Sequence, residues 1–539
     1  MLEDLVTPPE RRATYLDQGW WDGSTLPSVV AAHAQQRPDA VAVTDENGRL
    51  TYAELWADAR RVAGWLRGRG VGEGDVVSVQ LPNRADTVVL ALGVLASGAV
   101  INPLLPNYRL RELQHVFSTA LPKVIFTPSS YRGFEYAPLV TEATAAAGVS
   151  VAHVTVGGRV ADLASLADLL GNPSHDPDAA ELPDRDAAAV SELIFTSGTE
   201  ATPKAIMHTE RTTNGAVRIA RDDLALGPDT VVWMPSPVGH STGFNYGLRL
   251  ALLLGVPLVL QDVWDPARAV DLVEAHGCTY TLAATTFLAD LVAECQRRGV
   301  RLDSLDCFGC GGAPVPAPLV RAAAEVGITV LRLYGSTEVL VATWNRAASS
   351  AAQRENTDGR AMTACELEVR TDDGAPAGPG EPGEIFVRSP AASIGFFADP
   401  ERTAATFSPD GWVRSGDLAT LDADGHLTIV GRRKEIIIRG GMNITPREIE
   451  DLIAELDAVE RVAVVGVPDE RLGERTCACI VPRGDATVDL DTVVAHLRGR
   501  GLATYKLPQQ LEVFAQLPTT ASGKIQKHEI LRQLEERTT

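Results

Sequence analysis

The strongest constraint on what this chain can fold into is an alternation of two kinds of apolar segment. "GDVVSVQLP" (74–82) is followed by "ADTVVLALGVLASGAV" (85–100), and "PKVIFTP" (122–128) by "APLVTEATAAAGV" (137–149). The first member of each pair is short and strand-like. The second is longer and alanine-rich, so each pair reads as a strand followed by a helix. Repeated over the first two-thirds of the chain, this unit predicts an α/β domain of mostly parallel sheets covered by helices. From about Glu384 the texture changes. "GEIFVRSP", "GWVRSGDLATLDADGHLTIVGR" and "EIIIRGG" are short strands joined by glycine turns, with "DADG" (422–425) marking a hairpin, and they predict a strand-rich subdomain. In "TPREIEDLIAEL" Thr445 can cap a helix that has Pro446 at its first position. "RVAVVGVPD" reads as a strand, "DTVVAHLRGR" as a helix, and the last segment as a polar helix, which together predict a small α+β domain. A chain of 539 residues exceeds what one core supports. The reading divides it into residues 1–431 and 432–539, with the border at "GRRK" (431–434).

Charge narrows the partners. The chain has 49 basic and 70 acidic residues, a net charge of −21, which argues against a nucleic-acid backbone as partner. A nucleotide is not excluded, because it needs only a local nest of donors. The most apolar run, "LALLLGVPLVL" from Leu250, is short, follows Arg249 and contains Pro257, so it reads as buried core and not as a membrane span. "MLEDLVTPPERR" lacks the pattern of a signal peptide, and the expected location is the cytoplasm. Seven cysteines are too few for a disulfide framework in such a chain. Cys307 and Cys310 have a suggestive spacing, but no further ligands stand nearby at zinc-site spacing, so packing beside a glycine turn is the expectation.

"FTSGTEATPKAIMHTE" (195–210) concentrates hydroxyls, a glycine and a lysine in one turn. Backbone N–H groups and hydroxyls around an anion, with an ammonium beside them, make a phosphate grip. A Walker A loop does not fit: Pro203 stands where its second glycine belongs, and Ala205 where a metal-binding hydroxyl would follow Lys204. Taken alone, the segment is either a phosphate loop or an ordinary polar turn. Four further motifs break the tie: "YGSTE" (334–338), "SGDLATLDADGHL" with Asp417, "GRRKEIIIRGGMNITPREIE" with Arg432 and Lys434, and "LPTTASGKIQK" with Lys524.

In this order, these motifs resemble the adenylate-forming superfamily of acyl-CoA synthetases, peptide-synthetase adenylation domains and luciferases. The resemblance runs from "TYAEL" (51–55) to "SGKIQK" (522–527). It is nearest to bacterial acid–CoA ligases for medium-chain acids or cyclohexanecarboxylate, on "NPLLPNYRLREL", "YRGFEYA" and "SGTEATPKAIMHT". It implies that a carboxylate attacks the α-phosphate of ATP, pyrophosphate leaves, and the acyl-adenylate then passes to a thiol. The implied phosphate loop is Thr196, Ser197, Gly198, Thr199 and Lys204. Glu338 would ligate Mg²⁺ and Thr337 would bond the α-phosphate. The turn Gly311, Gly312, Ala313 and Pro314, with Tyr334 and Gly335, would take adenine, and Asp417 the ribose hydroxyls with Arg432 nearby. Lys524 would bridge carboxylate and α-phosphate during adenylation. Lys434 matches the hinge of a mobile C-terminal domain, and Gly440 and Gly441 would line the thiol's tunnel. The chain departs from the family pattern at Glu200, Ala201 and Ala205, which leaves the geometry of the phosphate loop open.

For the acid, the resemblance implies a pocket with His240 at its mouth and walls from Ser241, Phe244, the "TTF" turn (285–287) including Thr286, Gly309, Val339 and Leu340. Ser241 stands where amino-acid-activating relatives carry an aspartate. A buried ammonium without a counter-charge is costly, so an apolar medium-chain, alicyclic or aryl acid is expected. The acceptor is coenzyme A, with the phosphopantetheine of a carrier protein as the alternative. A family member that binds ligand without turnover is a third reading. Oligomeric state stays open between monomer and homodimer.

Overall fold

Strands and helices form where the alternation predicts them. Val76–Gln80 is a fully buried strand and Ala85–Ala96 the helix after it, and Val124–Pro128 with Tyr136–Ala147 repeats the unit. The structure, a computed structural model, describes residues 6–160, 162–172, 183–196, 203–439, 442–469, 471–520 and 523–538. Thr51 and Glu54 of the "TYAEL" segment start the helix Tyr52–Gly68: the Glu54 amide donates to Thr51 Oγ1 at 3.3 Å and the Thr51 amide to Glu54 Oε2 at 2.9 Å. That helix and Ala85–Ala96 approach closely, because a Cβ on Gly93 would sit 2.6 Å from Val62 Cβ.

Two sheets carry the N-terminal region. One orders seven strands as 204–209, 190–196, 100–104, 76–80, 124–128, 152–156 and 164–165, parallel except for the hairpin between the first two. The other orders nine. Its centre is parallel, through Val330–Ser336, Cys307–Gly311, Tyr280–Ala283, Val232–Met234, Leu258–Leu260 and Val41–Asp45, and its edges are antiparallel. The "LALLLGVPLVL" run is core: Leu250, Ala251, Leu252 and Leu258 to Leu260 are buried. No helix among the described residues is long and apolar enough to cross a membrane. Cys307 and Cys310 are free thiols buried on one strand, and burial pushes both upward, Cys310 to about 12.

The strand-rich subdomain is an antiparallel sheet of Glu366–Arg370, Gly383–Arg388, Val413–Leu421 and Leu427–Arg432, with the "DADG" turn between the last two. The small C-terminal domain has its own sheet, in which Val459–Asp469 pairs with Gly473–Pro482 and Gln510–Val513 runs parallel to the latter. Pro446–Ile453, Leu490–Gly499 and Lys527–Thr538 are its helices. Thr445 occupies the N-cap position of the first, but its hydroxyl makes no cap bond. Pro446 lacks an N–H in any case, so one of the donors at that helix start is already absent.

Candidate active site

The site forms where strand Val330–Ser336 turns back into Leu340–Trp344. The turn is tight. A Cβ on Gly335 would lie 2.1 Å from the Leu340 carbonyl oxygen, and Leu340 itself has a left-handed φ of +54°. A buried leucine in that conformation is held there by its surroundings. Thr337 and Glu338 occupy the apex, both half-buried.

A cavity opens beside the turn, lined by His240, Ser241, Gly312, Gly335, Thr337, Leu340 and Lys524, together with Tyr246, Leu282, Ala284, Phe287, Leu333 and Val341. It holds about 90 Å³, well below the usual range for a small-molecule site, with the Lys524 side chain as one of its walls. Lys524 Cε would be 3.1 Å from a Cβ on Gly312, so the lysine lies across that glycine's open face. Its loop is seated by Gly523, where a Cβ would come within 2.8 Å of Thr286 Oγ1. The C-terminal domain is thus docked with its lysine inside a cavity of the N-terminal domain. Burial lowers the Lys524 pKa, and Arg432 adds to the push, while Asp417 and Glu338 oppose it.

His240 caps the short helical turn after it. Its Nδ1 accepts the Thr242 N–H at 3.2 Å, which leaves the proton on Nε2. Burial, with the Lys524 charge second, pushes its pKa down to about 4. The imidazole is therefore neutral near pH 7.

Asp417 lies directly opposite Arg432 in the antiparallel register. Arg432 Nε is 2.8 Å from Asp417 Oδ1, and the Tyr334 hydroxyl donates to Oδ2 at 2.8 Å. Asp417 is 5 % exposed. Burial raises its pKa, and Arg432 pulls it back. Thr196 and Lys204 face each other across a hairpin, so the loop between them joins two antiparallel strands, whereas a Walker A loop leads into a helix. Lys204 Nζ lies 6.0 Å from the centre of the Phe396 ring. Ser197, Gly198, Thr199, Glu200 and Ala201 lie outside the described residues, as do Gly440 and Gly441. Ala205 is buried in the strand after Lys204. Beyond Gly312, Ala313 is half-buried and Pro314 exposed, its carbonyl accepting the Thr285 hydroxyl at 2.9 Å.

Several expected pocket residues stand elsewhere. Phe244 is in the core, 1 % exposed, with the Arg249 guanidinium 5.8 Å from its ring. Gly309 sits in mid-strand under Trp344, whose ring would lie 2.6 Å from a Cβ there. Val339 is buried at the turn but is not on the cavity wall, and Thr286 faces the Lys524 loop. Tyr246, which the sequence reading did not single out, forms part of the wall. Its hydroxyl accepts the Val341 N–H at 2.9 Å and its ring meets Trp344 edge-on at 5.9 Å. Behind Ser241 lies a buried polar network. Asn245 donates to Glu192 at 2.7 Å and to Ser241 Oγ at 3.4 Å, and Arg249 is shared between Glu192 and Glu210. Glu192 is pushed upward by burial.

As to metal, no cluster of three or more candidate ligands occurs among the described residues. One half-buried carboxylate, Glu338, suits Mg²⁺ brought in with nucleotide, because that ion completes its shell with phosphate oxygens and water.

Comparison with known proteins identifies the family. The family model "AMP-binding enzyme" matches residues 30–397, and "AMP-binding enzyme C-terminal domain" matches 448–524. Among curated relatives, the medium-chain fatty-acid–CoA ligase of Escherichia coli is 34% identical, over 100% of this chain and 95% of the relative. The salicyl-AMP ligase / salicyl-S-ArCP synthetase of Mycobacterium tuberculosis is 34% identical, over 98% and 94%. Among solved structures, ATP-bound MatB from Rhodopseudomonas palustris superposes with a TM-score of 0.86 at 28% identity, over 96% of this chain and 100% of that one. This chain belongs to the AMP-binding enzyme family.

Proposed function

We propose that this AMP-binding enzyme activates an apolar carboxylic acid with ATP and transfers the acyl group to the thiol of coenzyme A. The observation that carries the reading is the seat of Lys524, which the C-terminal domain places in one cavity with His240, Gly312 and Thr337. In the first half-reaction a carboxylate oxygen attacks the α-phosphorus, the bond to the bridging oxygen breaks, and pyrophosphate leaves. Both reactants are anions, so fixed positive charge and donors at the reacting atoms are what the protein must supply. Lys524 bridges the carboxylate and the α-phosphate. Thr337 donates its hydroxyl to the α-phosphate, and neutral His240 presents Nε2–H at the carboxylate. Asp417, its oxygens fixed by Arg432 and Tyr334, accepts from the ribose hydroxyls. Thr196, Ser197, Gly198, Thr199 and Lys204 hold the outer phosphates, and the Gly312–Pro314 turn, Tyr334 and Gly335 enclose adenine. Glu338 would hold Mg²⁺, which would offset phosphate charge. In the second half-reaction the thiol attacks the acyl carbon and AMP leaves. Residues 432–539 turn as a body about Lys434 between the two, withdrawing Lys524 and bringing Gly440 and Gly441 to the thiol's path.

An uncharged wall at Ser241 with Leu282, Leu333, Leu340 and Val341 supports an apolar acid, medium-chain, alicyclic or aryl. The E. coli relative, by its name, acts with CoA on medium-chain fatty acids. The M. tuberculosis relative's name includes transfer to a carrier protein, which supports phosphopantetheine as the second acceptor. ATP and coenzyme A are cytoplasmic metabolites, so the cytoplasm is the proposed location. The test is pyrophosphate release across hexanoate to dodecanoate, cyclohexanecarboxylate, benzoate, cinnamate and several amino acids, with and without CoA. Release that needs an apolar acid and turns over with CoA is expected. Release stalled at one turnover with CoA would move the acceptor to a carrier protein, and none with any acid would leave a silent binder.

A further inference from the structure

The turn bearing Thr337 and Glu338 is gripped from outside at two successive carbonyls. His208 Nε2 donates to the Thr337 carbonyl at 2.8 Å, and the Ser393 amide donates to the Glu338 carbonyl at 2.7 Å. The His208 ring is itself fixed, because its Nδ1 accepts the Thr212 hydroxyl at 3.0 Å, and the side chain is fully buried. Both grips belong to one frame. His208 lies on Lys204–Thr209, the strand that begins at the end of the phosphate loop. The segment containing Ser393 is laced to the same strand: the Ile394 amide donates to Met207 O at 3.0 Å, the Met207 amide to Gly395 O at 3.0 Å, and the Phe397 amide to Ala205 O at 2.8 Å.

We infer that His208 is a positioning residue for adenylation, tying the Lys204 strand to the turn that carries Thr337 and Glu338 through its hydrogen bond to the Thr337 carbonyl. This rests on the adenylation reading for the turn's role, while the grip itself does not. The turn needs such a restraint. Its backbone is strained at Leu340 and leaves no room for a side chain at Gly335, and strained segments keep their geometry only where neighbours over-determine it. Release of the carbonyl lets Thr337 and Glu338 drift relative to Lys204 although none of the three is altered.

Two variants separate positioning from packing. His208→Gln carries an amide N–H to about the Nε2 position, whereas His208→Leu fills the space without a donor. Acid-dependent ATP–pyrophosphate exchange reads catalysis, and amide hydrogen exchange over residues 335–341 without nucleotide reads the turn. His208→Leu is expected to lower the exchange kcat roughly tenfold to a hundredfold, leave the KM for the acid unchanged, and speed exchange of the Val339 and Val341 amides. His208→Gln should restore both readings to within about threefold, as recovery of the one hydrogen bond requires. Wild-type behaviour of His208→Leu overturns the inference. So does an equal fall of both variants with matching losses in Tm, which marks a packing role. If the wild-type protein shows no acid-dependent exchange, the adenylation reading falls, and unchanged amide exchange in His208→Leu then sinks the grip on its own.

Discussion

Arg433 and Glu435, two residues apart, are anchored to different parts of the molecule. Arg433 reaches Asp372 at 2.7 Å and Glu384 at 3.2 Å on the strand-rich subdomain, whereas Glu435 takes Lys527, on the C-terminal helix, at 2.9 Å. The one residue between them is Lys434, the proposed pivot. Lys527 also pairs with Glu450 at 2.8 Å, and the side chains of Lys527, Glu450 and Glu435 are 17 %, 11 % and 23 % exposed.

Lys527→Ala should therefore leave two carboxylates together without their cation. A buried pair that loses one partner is destabilising by about 3 kcal/mol at the low end, and the low end applies because Glu435 keeps some contact with water. Urea unfolding should report a loss of that size. An unchanged midpoint would mean that the lysine does not hold the hinge segment to the helix.

Lys524→Ala should lower acyl-adenylate formation by orders of magnitude and leave thioester formation from supplied acyl-adenylate largely intact. The lysine lies in the cavity only while the C-terminal domain is docked as seen here. Single-turnover assays of the two half-reactions check this, and an equal fall in both would refute the alternation of two domain positions.

The same lysine sets a pH limit. Burial lowers its pKa from the ordinary lysine value, so its positive charge is lost, as pH rises, earlier than for a lysine in water. The kcat/KM for adenylation, which reports the enzyme before nucleotide binds, should fall on the alkaline side below the usual lysine range, and thioester formation from supplied acyl-adenylate should lack that limb. His240 adds no limb near neutrality, because its pKa is held at about 4. A kcat/KM profile of pyrophosphate exchange that stays flat up to the ordinary lysine value would place Lys524 in water in the free enzyme.

Much of this architecture was legible in the chain because period and turn chemistry are local. The alternation around Val76–Gln80 and Ala85–Ala96, the "DADG" hairpin and the helix start at Pro446 each depend on a few neighbouring residues. The cavity wall depends on longer-range packing. Phe244 was expected there, yet residues Phe244–Arg249 form a π-helix, whose wider turn changes which side chains share a face. Tyr246 stands on the wall and Phe244 in the core. Leu282, Leu333 and Val341 reach the cavity from separate strands, and no spacing in the sequence announces that. His208 was legible only as one residue of a phosphate-loop motif, since its partner at Thr337 lies more than a hundred residues away.

Ser241 carries the sharpest prediction about the substrate. It is 6 % exposed on the cavity wall, and its Oγ accepts from Asn245, an amide already committed to Glu192. Behind it one guanidinium, Arg249, serves both Glu192 and Glu210. Ser241→Asp would add a third carboxylate to that group, and it would stay unpaired toward an apolar acid. Burying such a charge is costly, so kcat/KM for the preferred apolar acid should fall roughly tenfold or more, since a loss of 1.4 kcal/mol is already tenfold. Ser241→Ala gives up only a long hydrogen bond and should change kcat/KM by less than about threefold. Unchanged kinetics in Ser241→Asp would place the side chain away from the bound acid, and an equal fall in both variants would assign the loss to the Asn245 network instead of to charge.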